Sequence, residues 1–481
     1  MNATLKQNEM SKLDIKVKLR RFASLFAAFA AILLAVAPFF VFYEIRISIM
    51  VSLIGAFIIL PILIRIQSRE TDIFEPIYLS NIYFFMMFYA RPFVDEINDI
   101  SIYLDQDVTQ HYFDALLLVA CGIFFYNFSY ILFTKFKFKA ISTPQLTDKK
   151  YIRMGDLCSL LGIVLFMGFL YQIGGVNALA TLLSGRAAGN DDLFIQSSGY
   201  FYFGLLLLIP AASMYFIIYL SNSKFRRSAL IRFLIVSFIF LGYYSLRGTR
   251  SNMLPFIISL FALYFTWLQQ RIKKRYIIVI IYLVFALFGF LRDARVAESD
   301  SRNLDGLISS FINPIGEIAD LIDSPDNDMI DGISIAIGYI NELKIFEPGV
   351  ILKDIAIRTV PRKLYPDKGI EMNDRLVQEI WPIHAQNSRA APAFSIFLAM
   401  FMDSGYYSLI FLSCLTGSSL YLLWYKFGRS RSIGAIMFYC LCLGMLPVLL
   451  RGTFQDTLGR SVFIVLPSIV LIAIERRVNV K

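Results

Sequence analysis

The chain is built around long uninterrupted runs of apolar residues, and these runs constrain the fold more than any other feature. They are about 17 to 22 residues long, which is the length of an α-helix that crosses a lipid bilayer. Each run has to be helical, because backbone polar groups find no water inside lipid. Charged residues make up only 17% of the chain, whereas soluble domains carry about a quarter. The sequence therefore predicts an all-α polytopic membrane protein.

These runs predict about twelve transmembrane helices. The third, seventh and ninth are short, so their ends are expected to reach into polar flanks. The predicted spans are Phe22–Tyr43, Ile47–Ile64, Ile77–Ala90, Phe113–Thr134, Gly155–Tyr171, Phe201–Leu220, Phe233–Ser245, Met253–Leu268, Tyr276–Phe290, Tyr406–Tyr425, Ile433–Leu450 and Ser461–Ile474.

Lysine and arginine are concentrated in alternate loops, and this asymmetry predicts the orientation. The basic loops lie inside if both termini are cytoplasmic, as the positive-inside rule requires. The net charge of +10 is then topogenic, and it does not indicate nucleic-acid binding. The few arginines in short outside loops are Arg46, Arg91, Arg186, Arg247, Arg250 and Arg451.

Three segments follow from this topology. Residues 1–291 hold spans one to nine, and residues 393–481 hold an interfacial or re-entrant helix and the last three spans. Between them, residues 292–392 form a large outside loop, too long for a simple connector. Apolar residues at helical spacing predict helices over Leu307–Leu321 and Val350–Val360, so the loop is expected to be mostly helical.

Two parts of this loop region have a further interpretation. Ala390–Met402 is too short to span and is predicted to lie at the outer membrane face, with a bend at residues 403–405 before the next span. The acidic run Asp323–Gly332 lacks the closing glutamate of a helix–loop–helix calcium site and is interpreted as a polar turn. No motif for a metal ion or a nucleotide cofactor is present.

Outside arginines need a reason, because they break the positive-inside rule. Arg247 and Arg250 lie in an Arg-Gly-Thr-Arg-Ser turn between two spans, and Arg451 begins a second Arg-Gly-Thr turn. The planar guanidinium fork matches phosphate oxygens, and the N-terminus of the following helix attracts anions. The alternative is a hairpin whose arginines reach lipid headgroups. At Arg460, beside the last span, a charge is costly unless it is paired or faces water, so this side chain is expected to face the bundle interior.

The large loop contributes further candidates. Arg292, Arg295, Arg362 and Arg389 form either a solvated basic surface or, as a set, a site for a multiply charged anion. His384 could act as a general base, because its pKa suits proton transfer near neutrality, or it could be a structural histidine. Asp403 is the second candidate for the base.

Four features in one order resemble the bacterial O-antigen or oligosaccharide repeat-unit polymerases. They are the arginine hairpin 247–251, the segment 360–368, the re-entry 392–405 and the basic turn at Arg451. This resemblance covers the C-terminal half, while the N-terminal half matches in hydropathy alone.

The resemblance implies a glycosyltransferase of the GT-C type in the bacterial inner membrane, with its active site facing the periplasm. It would move the growing glycan from undecaprenyl pyrophosphate to a new lipid-linked repeat unit, without a metal ion or other cofactor. Arg247, Arg250 and Arg451 would bind the pyrophosphate, with Arg292, Arg295, Arg362 and Arg389 nearby. Expected partners are undecaprenyl-pyrophosphate-linked glycans and membrane lipids, with a chain-length regulator and a flippase as further candidates, and no nucleic acid.

Two alternatives remain open from the sequence. An O-antigen ligase uses the same donor but transfers the glycan to lipid A–core. A polysaccharide transporter or flippase would show paired repeats and charges along a pathway through the membrane. The sequence contains no repeat beyond Arg-Gly-Thr, and its unusual charges gather at one face.

Overall fold

The structure, a computed structural model, is almost entirely helical. It describes residues 29, 31–67, 72, 74–142, 146–175, 199–221, 223–246, 250–268, 328–359, 371–383, 394–452 and 454–478. In chain order its helices are α1 (Ala31–Val41), α2 (Ile45–Gln67), α3 (Pro76–Phe84), α4 (Arg91–Ile97), α5 (Tyr112–Phe133), α6 (Asp148–Gln172), α7 (Gly199–Tyr202), α8 (Leu208–Leu220), α9 (Arg226–Leu246), α10 (Arg250–Leu268), α11 (Met329–Leu343), α12 (Val350–Thr359), α13 (Met372–Ile380), α14 (Ile396–Ser404), α15 (Tyr406–Leu423), α16 (Ile433–Arg451), α17 (Phe454–Ile464) and α18 (Leu466–Val478).

Short elements complete this list. A two-residue hairpin pairs β1 (Ile102–Tyr103) with the antiparallel β2 (Gln106–Asp107). Single 3-10 segments lie at Thr109–His111, just before α5, and at Phe203–Leu207, between α7 and α8. The remaining turns of the described chain join consecutive helices.

Among the described residues, seven helices are long and apolar enough to cross a membrane, and a bent pair, α17 with α18, would make an eighth. Every predicted span overlaps a helix except Tyr276–Phe290, which lies outside the described residues. The prediction that two short spans extend into their flanks is confirmed. One helical stretch runs from Pro76 to Ile97, and α9 begins at Arg226. The described helices therefore fit a polytopic membrane protein.

The stretch from α3 to α4 changes its winding in the middle. Residues Phe85–Ala90 form a π-helical segment between the two α-helices. Pro92 follows directly and has no N–H to donate to the preceding turn, so the regular hydrogen-bond ladder is interrupted there. As a result, Arg91 begins a new helix at the end of this stretch.

The last predicted span is bent rather than straight. Helices α17 and α18 meet at an angle of 51°. Pro467 lies at the start of α18 and cannot donate a backbone hydrogen bond, which explains the break at Val465. The break also separates a partly polar first helix, which carries Arg460, from the apolar α18.

The chain divides into two compact units, and the large loop is shared between them. The first unit contains Met1–Phe136, Asn327–Phe346 and Met400–Tyr421; the second contains the rest. This division differs from the three predicted segments, because α11 packs among helices of the first unit while α12 and α13 belong to the second.

Helix α11 is the main addition that the loop makes to the first unit. It is buried along most of its length and packs against α5 and the turn before it. Ser334 Oγ donates to the Val108 carbonyl, 2.6 Å away. Gly338 faces the ring of His111, where a larger side chain would not fit. The prediction that Asp323–Gly332 is a polar turn is therefore wrong at its described end, since Asp331 is fully buried within α11.

Helix α14 corresponds to the segment that the sequence places at the membrane face. It begins at Ile396 and is buried within the protein along its whole apolar length. Gly405 follows with a φ of +68°, a left-handed conformation that glycine adopts without strain. The predicted bend before α15 is thereby confirmed, and the predicted helix over Val350–Val360 is confirmed by α12.

Candidate functional site

The closest helix pair of the second unit is α10 with α16, and it sets the position of two candidate arginines. Gly444 on α16 lies against Pro255 and Ser259 on α10, so closely that a Cβ at Gly444 would collide with the Pro255 backbone. Gly444 comes about two turns before Arg451, and Pro255 about one and a half turns after Arg250. The direction of the two helices then decides whether these arginines share an end.

Contacts from the last two helices show that the pair is antiparallel. Glu475 on α18 accepts hydrogen bonds from Ser432 and the Gly434 N–H at the start of α16, at 2.5 and 3.0 Å. Arg460 on α17, about four turns earlier, contacts Asn252 at the start of α10. The starts of α10 and α16 are therefore at opposite ends of the pair. Arg250, which begins α10, and Arg451, which ends α16, consequently lie at the same end.

Arg460 joins this same end of the pair. Its Nη2 lies 3.0 Å from Asp456 Oδ2, and its Nη1 donates to Asn252 Oδ1 at 2.6 Å. The Arg460 side chain is 17% exposed. These contacts direct the side chain toward α10, in agreement with the expectation that it faces the bundle interior. The contact with Asn252 also ties α17 to the first turn of α10.

A buried carboxylate connects α17 with the helices of the large loop. Asp354 Oδ2 on α12 accepts from Gln455 Nε2 at 3.2 Å and from the Met372 N–H at 3.1 Å. Burial raises the pKa of Asp354, and the Met372 N–H together with the charges of Arg375 and Lys353 opposes that rise. Gln455 is itself buried. Through Gln455, the carboxylate therefore holds α12, α13 and the start of α17 together.

The electrostatics of this end favour an anion. Arg451 is half-buried at the C-terminus of α16, and α17 begins almost immediately after it. The helix N-termini of α10 and α17 present backbone N–H groups that have no partner within the helix. Together with the Arg451 and Arg460 guanidinium groups, they could bind a multiply charged phosphate. We call this region the arginine end of the α10–α16 pair: Arg250, Asn252, Arg451, Asp456 and Arg460.

Only some of the predicted site residues lie in the part of the chain that the structure describes. Arg250, which begins α10, and Arg451, which ends α16, lie at the same end of the pair, and their binding of pyrophosphate stays a prediction. Asp403 ends α14 in the first unit, where Ser404 Oγ donates to its Oδ1 at 3.1 Å. The other predicted residues lie outside the described residues and stay predictions: Arg247, Arg292, Arg295, Arg362, His384 and Arg389.

Sequence reasoning missed the polar residues that hold the arginines in place. Asn252, Asp354, Gln455 and Asp456 carry no motif, and three of them differ little from ordinary helix-end residues. A signal was nevertheless available. Asn252 follows the first arginine turn closely, and Gln455 and Asp456 follow the second, at the start of an apolar run where buried polar groups need partners.

Taken together, the helices fit a polytopic membrane protein, in which a cluster of arginines and polar residues lies at one end of a packed helix pair. A family model, O-antigen polysaccharide polymerase Wzy, matches residues 24–339. The chain belongs to this family. Membership supports a glycosyltransferase-type polymerase that joins O-antigen repeat units and acts on lipid-linked glycans.

The matched range differs from the region that carries the sequence resemblance. Of the four features, only the hairpin 247–251 lies inside the match, and the segment 360–368, the re-entry 392–405 and the turn at Arg451 lie beyond it. The match therefore includes most of the N-terminal half, which resembles the family in hydropathy alone. No curated protein and no solved structure matches the chain.

Proposed function

We propose that the protein extends a glycan at the periplasmic face of the inner membrane. The growing glycan moves from its undecaprenyl pyrophosphate carrier to a non-reducing sugar of a new lipid-linked repeat unit. In this step the anomeric carbon–oxygen bond to the pyrophosphate breaks, and a bond to the acceptor oxygen forms. The acceptor hydroxyl loses its proton to a base, and the lipid pyrophosphate leaves with the bonding electrons.

The observation that supports this proposal is the convergence of Arg250 and Arg451 at one end of α10 and α16. A lipid pyrophosphate carries about two to three negative charges, and charge grows on it as the anomeric bond breaks. Guanidinium groups held in place before the reaction stabilise that charge most effectively. The Arg460–Asn252 contact supplies such rigidity at the start of α10.

The remaining parts of the proposed mechanism lie in the hairpin 247–251, the large loop and the end of α14. Arg247, Arg292, Arg295, Arg362 and Arg389 would extend the pyrophosphate site, and the loop would cover the sugars and exclude water. His384, or in second place Asp403, would remove the acceptor proton. We propose that these arginines, rather than a metal ion, carry the charge, so dialysis against a chelator should leave turnover unchanged.

A reconstitution experiment tests the proposal directly. The purified chain, in vesicles without any ion gradient, receives undecaprenyl-pyrophosphate-linked repeat units, and products are separated by length. We expect a ladder of lengthened glycans and release of undecaprenyl pyrophosphate. Transport of the lipid-linked units without lengthening would instead identify a flippase and overturn the proposal.

The ligase alternative is separated by deletion of the gene. A cell without the polymerase should carry lipid A–core capped with a single repeat unit, because ligation still occurs. A cell without the ligase should carry bare core. Bare core in the deletion strain would therefore contradict the polymerase assignment in favour of the ligase.

A further inference from the structure

The first unit contains a second buried charge cluster, far in sequence from the arginine end. Arg91, one of the outside arginines, is surrounded by three carboxyl groups. Its Nε lies 2.7 Å from Asp95 Oδ1, and its Nη2 lies 3.0 Å from Asp328 Oδ1 and 3.4 Å from Asp331 Oδ2. We call these four residues the Arg91 cluster. They join α4 to the start of α11.

The cluster is sealed from solvent. The side chains of Arg91, Asp95 and Asp328 are 4%, 6% and 9% exposed, and that of Asp331 is fully buried. Tyr112, at the start of α5, donates its hydroxyl to Asp95 Oδ2 at 3.1 Å. His111 lies against Gly338, about two turns along α11 from Asp331, and it pairs with Asp114. Asp331 therefore faces one guanidinium, two carboxyl groups and one neutral phenol.

This composition is unbalanced when every group is ionised. In the described part of the chain, three carboxylates and one guanidinium leave an excess of two negative charges on buried side chains, which is costly. Among the described residues, Asp331 Oδ1 is buried and accepts no hydrogen bond. A buried carboxylate oxygen with nothing to neutralise it is best satisfied by a proton. Burial and repulsion from Asp95 indeed raise the pKa of Asp331 to about 8.

We infer that the Arg91 cluster is a proton-binding site, and that the bound proton holds helix α11 against the first unit. The proton resides on Asp331, which then stands as a neutral acid beside Arg91. Loss of that proton leaves the excess charge uncompensated, so α11 opens more readily. The ligand of this site is a hydrogen ion from the surrounding solution.

The sign of the pH dependence follows from linkage. Asp331 has a raised pKa when α11 is docked and an ordinary one, about 3.9, when it is exposed to water. The docked state therefore binds one more proton between these two values. Its stability is full below the lower value and falls as the pH rises, until it levels off above about 8.

Docking of α11 also restrains the chain that follows it. The segment of the first unit that contains α11 ends at Phe346, and the chain returns to the second unit at Glu347, which pairs with Arg375 at a distance of 2.7 Å. The next helix, α12, carries Asp354 and hence the contact with Gln455. Release of α11 would lengthen the free segment before α12. Any effect on polymerisation rests on the proposed function, but proton binding itself does not.

Hydrogen exchange on the full-length protein in lipid nanodiscs tests the inference, from pH 5.5 to 9 with correction for intrinsic exchange rates. We expect protection of the α11 amides to fall about tenfold per pH unit and then to level off near pH 8. Peptides from α2 serve as the internal reference and should show no such fall. The substitution Asp331→Asn, which imitates the neutral acid, should make α11 protection independent of pH.

Asp114→Asn is the matched control, because Asp114 is nearly half exposed and lies beside α11 without joining the cluster. It should keep the wild-type slope. The inference is overturned if wild-type α11 protection is flat over this range, or if Asp331→Asn keeps the slope. Should that variant not accumulate, Asp95→Asn removes the neighbouring repulsion and should move the levelling point at least one pH unit lower; an unmoved point is equally decisive against it.

Discussion

Arg91 and Arg460 show how differently two arginines that the predicted orientation places on the outer side can be used. Arg91 is 4% exposed and faces three carboxyl groups within the first unit. Arg460 is 17% exposed and meets one carboxylate and one amide, at an end of the second unit that also holds Arg250 and Arg451. In the predicted orientation, both arginines lie on the side where the positive-inside rule disfavours basic residues. An unexpected arginine thus marks a site, and its neighbours decide whether that site is closed or open to an anion.

The largest effect is expected from Arg91→Ala. The substitution leaves three buried carboxyl groups without their cation, and loss of one partner of a buried ion pair costs about 3 to 5 kcal/mol. We expect a steep fall in the fraction of monodisperse protein and in the unfolding temperature. Arg46→Ala removes an exposed arginine of the same unit and should change neither. A stable Arg91→Ala protein would remove the contrast between the two regions.

Arg451→Ala should act on turnover instead of stability. Removal of one preorganised donor to a developing negative charge costs about 10²- to 10³-fold in rate. The unfolding temperature should stay close to that of the wild type, because Arg451 is only half-buried. The rate of Arg451→Lys should fall between those of the wild type and Arg451→Ala, since lysine keeps the charge but lacks the planar fork. Rates come from the reconstituted lengthening assay.

The control for Arg451 is another arginine of the second unit. Arg429 lies just before α16, at the end opposite Arg451, and stacks on Trp424 with its guanidinium carbon 4.5 Å from the ring centre. Arg429→Ala should leave turnover within about twofold of the wild type, because this arginine is remote from the proposed pyrophosphate. Equal losses in both variants would mean that arginines of this unit act through folding alone.

Sequence reasoning predicted the helices of this protein well and their partners poorly. Hydropathy is a property of each segment, so the ends of α2, α5 and α16 could be predicted closely from the sequence. The bend at Val465 had a visible cause in Pro467, but its angle depends on packing. The sequence does not show where α11 packs. Its apolar pattern fits any apolar surface, and its packing partners precede it by more than two hundred residues.

The same limit applies to the site. The repeated Arg-Gly-Thr turns were sufficient to place Arg250 and Arg451 together, because topology fixes which helix ends share a face. Asn252 and Gln455 act only through contacts with distant helices, and single polar residues of this kind carry no local pattern. Asp328 and Asp331 looked like part of a polar turn because neither their burial nor Arg91 is visible in the local sequence.

A smaller effect is expected from Asn252→Ala, which sharpens the description of the arginine end. It removes the amide acceptor of Arg460 but leaves Asp456 in place, and a hydrogen bond to a charged group contributes about 1.5 to 3 kcal/mol. We expect a loss of about tenfold in turnover at nearly constant substrate affinity, because Arg250 is then held less firmly. Asn252→Asp keeps an acceptor and should retain most of the rate. If affinity alone changes, Asn252 binds substrate rather than positioning α10.

The smallest effect is expected from Asp354→Asn. The amide oxygen can accept the same hydrogen bonds from Gln455 and the Met372 N–H. The neutral side chain also avoids the cost of burying a negative charge, which is what raises the pKa of Asp354. We expect less than about 1 kcal/mol of change in the free energy of unfolding. Asp354→Leu leaves both donors unsatisfied and should cost about 1 to 3 kcal/mol. Identical unfolding temperatures for the two variants would show that these bonds contribute nothing.

The sharing of one loop between two units has a practical consequence for anyone who wishes to isolate it. A fragment covering residues 292–392 would contain α11 without α4 and α5, and α12 without the start of α17. Its most apolar helix would face water, and three acidic side chains would lose Arg91 or Gln455 as partners. Such a fragment should aggregate or stay unfolded. Antibodies or inhibitors aimed at this loop are therefore best raised against the intact protein.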